Sequence, residues 1–306
     1  MNNLLKPMGI REILDNTFSI MRERFWIFQA VLSIAFLPSF LFFSAGLALF
    51  VIQAVKISGG IPFNPAESRF WQEITNLHPG IIGEMAISLL VILLLTIVSL
   101  PIGALFATYA SIKVFQSGFL GKKCEVFGAF KGVSRKIWRF IGSSILISLM
   151  CMPITVLALS IMATSDILGR MISSVTYMVQ FFFLLTPVVI TLEDNSATDS
   201  LIRAFHLLEK HRWRILGVQV VTYLFVYWFF ITIIVGLLAV PITVAILYKH
   251  VVLIVIAVLS GLVSFLAGAM ALPLLYGTFT AIYYDLRVRK EGYDLMLQIN
   301  PEDDDG

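Results

Sequence analysis

Charged residues are scarce in this chain: 13% of its 306 residues are Asp, Glu, Lys or Arg, against about 25% in soluble domains. Six stretches contain no charged residue and no histidine: 25–55, 85–112, 140–165, 171–192, 215–248 and 251–284. A soluble protein must present polar helix faces to water, so this much uncharged length excludes a soluble domain. Each stretch reaches the roughly 20 apolar residues that cross a bilayer. The sequence predicts an all-α integral membrane protein with six transmembrane helices.

Residues suited to catalysis or metal binding are also few. The two cysteines, Cys124 and Cys151, lie in a basic loop and inside a predicted span, which excludes a disulfide framework. The four histidines form no HExxH or comparable spacing. Coupled transporters usually place ionisable residues at mid-membrane, and the six stretches have none. We therefore name no catalytic, cofactor-binding or metal-binding residue, and we expect no enzymatic activity and no cofactor. A net charge of only +3 gives no reason to expect a nucleic-acid partner.

Each uncharged stretch contains one proline: Pro38, Pro101, Pro153, Pro187, Pro241 and Pro273. Proline removes a backbone hydrogen bond, so the spans are expected to be kinked, unwound or tilted. Two interpretations stay open, because such prolines can form hinges around a substrate path or shape helix packing. In the last stretch, small residues recur every four positions, which predicts close helix packing at Ser260, Ser264 and Gly268.

The distribution of positive charge predicts the orientation in the membrane. All but four of the 22 Lys and Arg lie in the N-terminal tail, around 113–139, in 203–214 or after 285. The exceptions are Lys56, Arg69, Arg170 and Lys249. Because Lys and Arg accumulate on the cytoplasmic side, both termini are expected in the cytoplasm. The first uncharged stretch is too long for a signal peptide and should remain as a span.

A sequence pattern recurs three times along the chain. In each copy a phenylalanine precedes a tryptophan by eight residues, with basic residues between them: Phe18 and Trp26, Phe130 and Trp138, Phe205 and Trp213. Two predicted spans follow each tryptophan. We predict three parallel repeats, 11–117, 124–192 and 198–288, within one membrane domain over 1–299. Each repeat is an amphipathic interfacial helix, anchored by its Phe and Trp, followed by a membrane hairpin. Residues 300–306 form an acidic tail that we expect to be disordered.

Acidic and basic residues meet at two predicted cytoplasmic segments, the loop 193–214 and the exit segment 283–294. We predict that their opposite charges form a structural clamp that holds the last exit helix against a neighbouring repeat. The residues concerned are Glu193, Asp194, Arg203, Asp285, Arg287 and Arg289.

Three motifs resemble a bacterial family: YYDLRVRKEGYDLMLQI (283–299), TLEDNSATDSLIRAF (191–205) and the repeated AF…W units. The chain resembles the membrane domain found with some glycerophosphodiester phosphodiesterases, which also occurs alone as a six-span protein. The resemblance implies a location in the bacterial cytoplasmic (inner) membrane. It does not imply esterase activity, because the soluble catalytic barrel has no counterpart here. The matching residues are Glu193, Ala204, Phe205, Asp285, Arg287, Arg289, Glu291, Gly292 and Asp294.

The leading functional hypothesis is a non-catalytic membrane subunit or scaffold. Its expected partners are membrane lipids and either another membrane protein or further copies of itself. The alternative is a transporter, channel or lipid-handling protein, and a lipid-modifying enzyme is a third possibility. A cavity lined by the amides Gln29, Gln180 or Gln219 would favour the alternative, whereas a solid core would favour the scaffold.

Overall fold

The computed structural model describes residues 6–57, 79–209, 211–227, 271–293 and 295–296. These residues form helices, which short turns join wherever the connection is described, and no strand occurs among them. The predicted all-helical fold class is therefore confirmed for the described part of the chain. The helices, in chain order, are α1 (Ile10–Glu23), α2 (Phe25–Ile57), α3 (Pro79–Phe119), α4 (Val126–Ala129), α5 (Val133–Met162), α6 (Asp166–Phe182), α7 (Thr186–Leu192), α8 (Ala197–Leu208), α9 (212–227) and α10 (Ala271–Glu291).

Four largely helical segments of the described chain are long and apolar enough to cross a membrane. They are Phe25–Phe42, Leu93–Phe119, Val133–Met162 and Asp166–Leu192. Each overlaps one of the first four uncharged stretches, as expected for a multi-pass membrane protein. The fifth and sixth stretches run largely through 228–270, outside the described residues. Pro241, Ser260, Ser264, Gly268 and the tail 300–306 lie outside them as well.

The chain divides into two compact units. The first comprises the described residues within 1–31, 108–228 and 270–306, and the second those within 32–107 and 229–269. In the first unit, α10 packs against α1, α7 and α8, and α5 packs against α6. In the second, α2 and α3 approach closely at Gly103, where an added Cβ would lie 2.7 Å from the carbonyl oxygen of Ala35.

Burial recurs in the same register around each of the three tryptophans. The residue before each Phe is buried, as are the residues two and five positions after each Trp, whereas the Trp itself is largely exposed. The buried sets are Thr17, Phe28 and Val31; Ala129, Phe140 and Ser143; and Ala204, Ile215 and Val218. A common pattern of inward and outward positions therefore accompanies the recurring Phe–Trp spacing.

The structure differs from the sequence-based expectation in the middle copy. The first and third copies place their Phe on helices of 14 and 12 residues, α1 and α8, but α4 has only four. Glycine favours the ending of a helix, and Gly132 adopts a left-handed conformation (φ 90°) immediately before α5. As a result Phe130 lies at the end of a single helical turn, whereas Phe18 and Phe205 lie within the longer helices α1 and α8.

The prolines have different local effects. Pro38, Pro101 and Pro153 lie inside the continuous helices α2, α3 and α5. Pro187 instead follows a break, because α6 ends at Phe182 and a turn precedes α7. Proline is well tolerated in the first turn of a helix, where its missing N–H would have no partner. The predicted unwinding is therefore found at Pro187 among these four prolines.

Candidate functional site

Helix α10 carries ionisable and phenolic side chains on two different sides. Successive residues of an α-helix are rotated by about 100°, so Tyr283, Arg287 and Glu291 share one side. Asp285 and Arg289 lie two positions out of phase and point to another side, because residues i and i+2 do not face each other. This geometry produces two clusters on α10 rather than one continuous network.

The first cluster surrounds Asp285, which is 2% exposed. Its carboxylate accepts hydrogen bonds from Arg214 Nη1 at 3.0 Å, from Arg289 Nε at 3.0 Å and from the backbone amide of Met8 at 2.7 Å. Both arginines also donate to the carbonyl oxygen of Met8. Three donors compensate for the burial of the negative charge. We call Met8, Arg214, Asp285 and Arg289 the Asp285 cluster; it joins α9 and α10 to the segment before α1.

The second cluster surrounds Glu193, which follows α7. Its Oε1 accepts hydrogen bonds from the Tyr283 hydroxyl at 2.8 Å and from Arg203 Nε at 3.3 Å. Arg203 also forms an ion pair with Glu291, and Arg287 donates to the Tyr283 oxygen at 3.2 Å and to Glu291 at 3.0 Å. We call Glu193, Arg203, Tyr283, Arg287 and Glu291 the Glu193 cluster. It fastens α10 to α8 and to the end of α7.

Asp194 belongs to neither cluster. Its carboxylate lies 3.4 Å from Lys136 Nζ and 3.2 Å from Arg139 Nη1, both at the start of α5. The positive charge of Lys136, followed by Arg139, holds the pKa of Asp194 below its usual range. Lys136 also donates to the carbonyl oxygen of Thr191 at 2.9 Å. These contacts connect α5 to the end of α7.

The six residues of the predicted clamp are thus distributed over three groups. Glu193, Arg203 and Arg287 meet in the Glu193 cluster, Asp285 and Arg289 meet in the Asp285 cluster, and Asp194 pairs with α5. Sequence reasoning missed Met8, Lys136, Arg214, Tyr283 and Glu291 as members of these groups. A signal was present for two of them, since Tyr283, Arg287 and Glu291 recur at helical spacing of four.

The predicted anchor residues differ in their surroundings. Trp26, Trp138 and Trp213 are 80%, 74% and 86% exposed, and each lies near the start of a long helix. The phenylalanines are less exposed than the tryptophans. Phe18 meets Phe225 edge-on at 5.9 Å between ring centroids, and Phe205 lies 5.5 Å from Phe182. Large exposed indoles at helix starts suit the membrane–water interface.

A cavity of about 780 Å³ lies between the C-terminal part of α6 and residues 212–223 of α9. Its wall is mostly apolar and aromatic, with two amides and one cation. The lining residues are Tyr177, Gln180, Phe181, Phe182, Leu184, Arg212, Trp213, Leu216, Gln219, Val220 and Tyr223. Gln180 and Gln219 therefore line a cavity. They are two of the three amides whose presence in a cavity would favour a transport or lipid-handling role.

His211 lies between α8 and α9, beside the Asp285 cluster. Partial burial, then the nearby charges of Arg289, Lys290 and Arg214, lower its pKa, and Asp285 opposes them. The neutral imidazole is thus favoured in the folded protein. Within the described part of the chain, no group of His, Cys, Asp and Glu side chains could hold a metal ion.

Against known proteins, the chain matches no family model, no curated sequence and no solved structure.

Proposed function

We propose that this chain is an integral membrane component without catalytic activity of its own, which assembles with other membrane proteins as a subunit or scaffold. The observation that carries the proposal is that acidic side chains with little exposure are paired with arginines of the same chain. Asp285 is paired with Arg214 of α9 and with Arg289 one turn along α10, and Glu193 is paired with Arg203 of α8. Charges paired in this way fix helices to one another instead of presenting a reactive group to a substrate.

The proposed architecture has six spans in three parallel repeats, with both termini in the cytoplasm of a bacterium. The uneven distribution of Lys and Arg supports the orientation. The recurring burial around Trp26, Trp138 and Trp213 supports the repeats. The resemblance to the membrane domain of glycerophosphodiester phosphodiesterases supports the inner-membrane location. Several residues that carry it, Glu193, Asp285, Arg287, Arg289 and Glu291, are members of the two clusters.

The scaffold role is tested by isolating the protein from its native membrane. After cross-linking and solubilisation in mild detergent, a defined membrane-protein partner or homo-oligomer should co-purify in a fixed ratio. In liposomes the purified protein should hydrolyse neither phospholipids nor glycerophosphodiesters, and it should show no ion-driven solute uptake. Turnover of either kind that one polar-residue substitution abolishes would contradict the proposal.

A second candidate function is transport, conduction or the handling of lipid. The cavity between α6 and α9 favours it, because the wall combines Gln180, Gln219 and Arg212 with apolar side chains. Ligand sites are typically apolar concavities with a few polar groups that fix orientation. Passive flux of a solute or lipid in proteoliposomes would support this role. Flux that is unchanged after the cavity is filled by Leu216→Trp would speak against it.

A further inference from the structure

One end of the cavity between α6 and α9, at the start of α9, is polar; the rest of its wall is mostly apolar and aromatic and includes the amides Gln180 and Gln219. Arg212 lies at the polar end, where its guanidinium stacks over the Phe182 ring at 5.3 Å from the centroid. Its Nε donates to the carbonyl oxygen of Glu209 at 3.0 Å. Within the described residues this guanidinium forms no ion pair with an acid, so its positive charge is available at the cavity mouth. Trp213 beside it is largely exposed, as expected of a side chain at headgroup level.

The deeper polar group is Gln219, which is 5% exposed. Its carbonyl oxygen is buried and has no hydrogen-bond partner among the described residues. An unpaired buried carbonyl is unfavourable. Because the terminal torsion of Gln is soft, the amide can turn toward a polar group that enters the cavity.

The length of the cavity matches one leaflet of a bilayer. Its lining on α9 runs from Arg212 to Tyr223, which spans about 16 Å at the helical rise of ~1.5 Å per residue. Half of a hydrocarbon core is about 15 Å. Gln219 lies two turns further along α9 than Arg212, about 10 Å deeper, within the mostly apolar part of the cavity. The remaining wall, including Leu216 and Val220, is suited to an acyl chain.

We propose that this cavity binds an anionic membrane phospholipid. Arg212 holds the negatively charged phosphate, and one acyl chain lies between α6 and α9. A guanidinium suits a phosphate because its planar donors can form two parallel charge-assisted hydrogen bonds. This site deepens the second candidate function by naming its ligand, and it is compatible with a scaffold that needs a bound lipid.

The test compares two lipids and two arginine variants of the full chain in mild detergent. Phosphatidylglycerol should raise the melting temperature more than phosphatidylcholine with the same acyl chains. Arg212→Gln should weaken phosphatidylglycerol binding about tenfold, since hydrogen bonds to charged groups are the strong ones. Arg170→Gln removes the same charge from the opposite end of α6, far from the cavity lining, and should leave the affinity unchanged.

A second variant keeps the proposal testable if Arg212→Gln does not fold. Leu216→Trp fills the acyl-chain region and leaves Arg212 in place, so it should reduce the amount of phosphatidylglycerol that mass spectrometry finds co-purified. Equal stabilisation by both lipids, equal losses in Arg212→Gln and Arg170→Gln, or undiminished lipid in Leu216→Trp would each overturn the proposal. Flux in proteoliposomes and partner co-purification are separate readouts, so failure of lipid binding is distinguishable from failure of either function.

Discussion

The Tyr283 hydroxyl donates to Glu193 Oε1 at 2.8 Å and accepts from Arg287 Nη1 at 3.2 Å. Tyr283 is buried, and this hydroxyl links an acid after α7 to an arginine on α10. The phenol thus completes a chain of hydrogen bonds between side chains of opposite charge. Removal of one oxygen atom should therefore weaken the attachment of α10 without changing any formal charge.

Tyr283→Phe tests that link. We expect it to lower the free energy of unfolding by about 0.5–1.5 kcal/mol, the usual net value of one hydrogen bond, measured as a lower melting temperature in mild detergent. Tyr227→Phe makes the same change at an exposed position and should have little effect. Similar melting temperatures for the two variants would show that the Tyr283 hydroxyl is energetically unimportant.

Asp285→Ala should destabilise the protein more strongly. Loss of this carboxylate leaves Arg214 and Arg289 without their shared partner, and breaking a buried ion pair costs about 3–5 kcal/mol. The matched control is Asp15→Ala, which breaks the exposed pair with Arg11 on α1 and should cost no more than about 1 kcal/mol. Denaturation monitored by intrinsic fluorescence compares them. Equal destabilisation by the two substitutions would show that the contacts of Asp285 contribute no more than an exposed ion pair.

Gly277→Ala should also destabilise, because α10 approaches α3 closely there. A Cβ on Gly277 would lie 2.2 Å from the Phe115 ring, which is itself fully buried. Overpacking of this kind typically costs about 1–3 kcal/mol. Gly217→Ala is the control, since nothing lies within 4 Å of a Cβ on α9 at that position. It should be neutral or stabilising, because alanine favours helix. The opposite order of melting temperatures would contradict this packing.

Protonation of His211 should destabilise the folded state. The pKa of His211 in the folded protein lies below the ordinary value of 6.5. At pH values between these two pKa values, the unfolded chain therefore binds the proton more readily than the folded protein does. Stability should therefore be complete above the ordinary value and fall as the pH drops toward the folded pKa. His211→Asn should reduce the change in melting temperature between about pH 5.5 and pH 7.5. His206→Asn should retain it; the same flattening in both variants would assign the effect elsewhere.

The two cysteines test the orientation. Cys124 lies in the basic connection between α3 and α4 and is partly exposed, whereas Cys151 is buried within α5. With a cytoplasmic N-terminus, a membrane-impermeant thiol reagent should label Cys124 only after the cytoplasmic face is opened. Cys151 should resist labelling in both conditions. Labelling of Cys124 in intact cells would reject the proposed topology.

Apolar periodicity and length were sufficient to predict the helices and the first four candidate spans, because an uncharged stretch of that length has few other stable conformations. They did not predict that α4 has only four residues. The Phe–Trp spacing is the same as in the other two copies, although Gly132 interrupts the helix in this one. The repeat pattern predicts which residues are equivalent, but glycine conformation decides whether the helix continues.

The pairing of Glu193 with Arg203 was predictable, because these opposite charges lie in the same predicted cytoplasmic loop, 193–214. Asp285 and Arg289 were assigned to the same network as Arg287, although helical rotation separates them. Arg214 and the Met8 backbone could not be found from spacing, since their contacts with Asp285 depend on tertiary packing. Three amides could be named from the sequence as residues that would line a cavity, but the cavity itself could not be predicted. Whether such side chains meet depends on which helices pack together.

The bond between the Met8 amide and Asp285 spans 277 positions of the chain. During translation, Met8 therefore leaves the ribosome long before Asp285 and Arg214 have been synthesised. Until α10 is in place, the Met8 amide lacks the Asp285 carboxylate that accepts its hydrogen bond. A chain truncated before α10 would lack the contacts of Asp285 and Arg289 with Met8 and keep the contact from Arg214, so the segment before α1 is fully attached only once α10 is present.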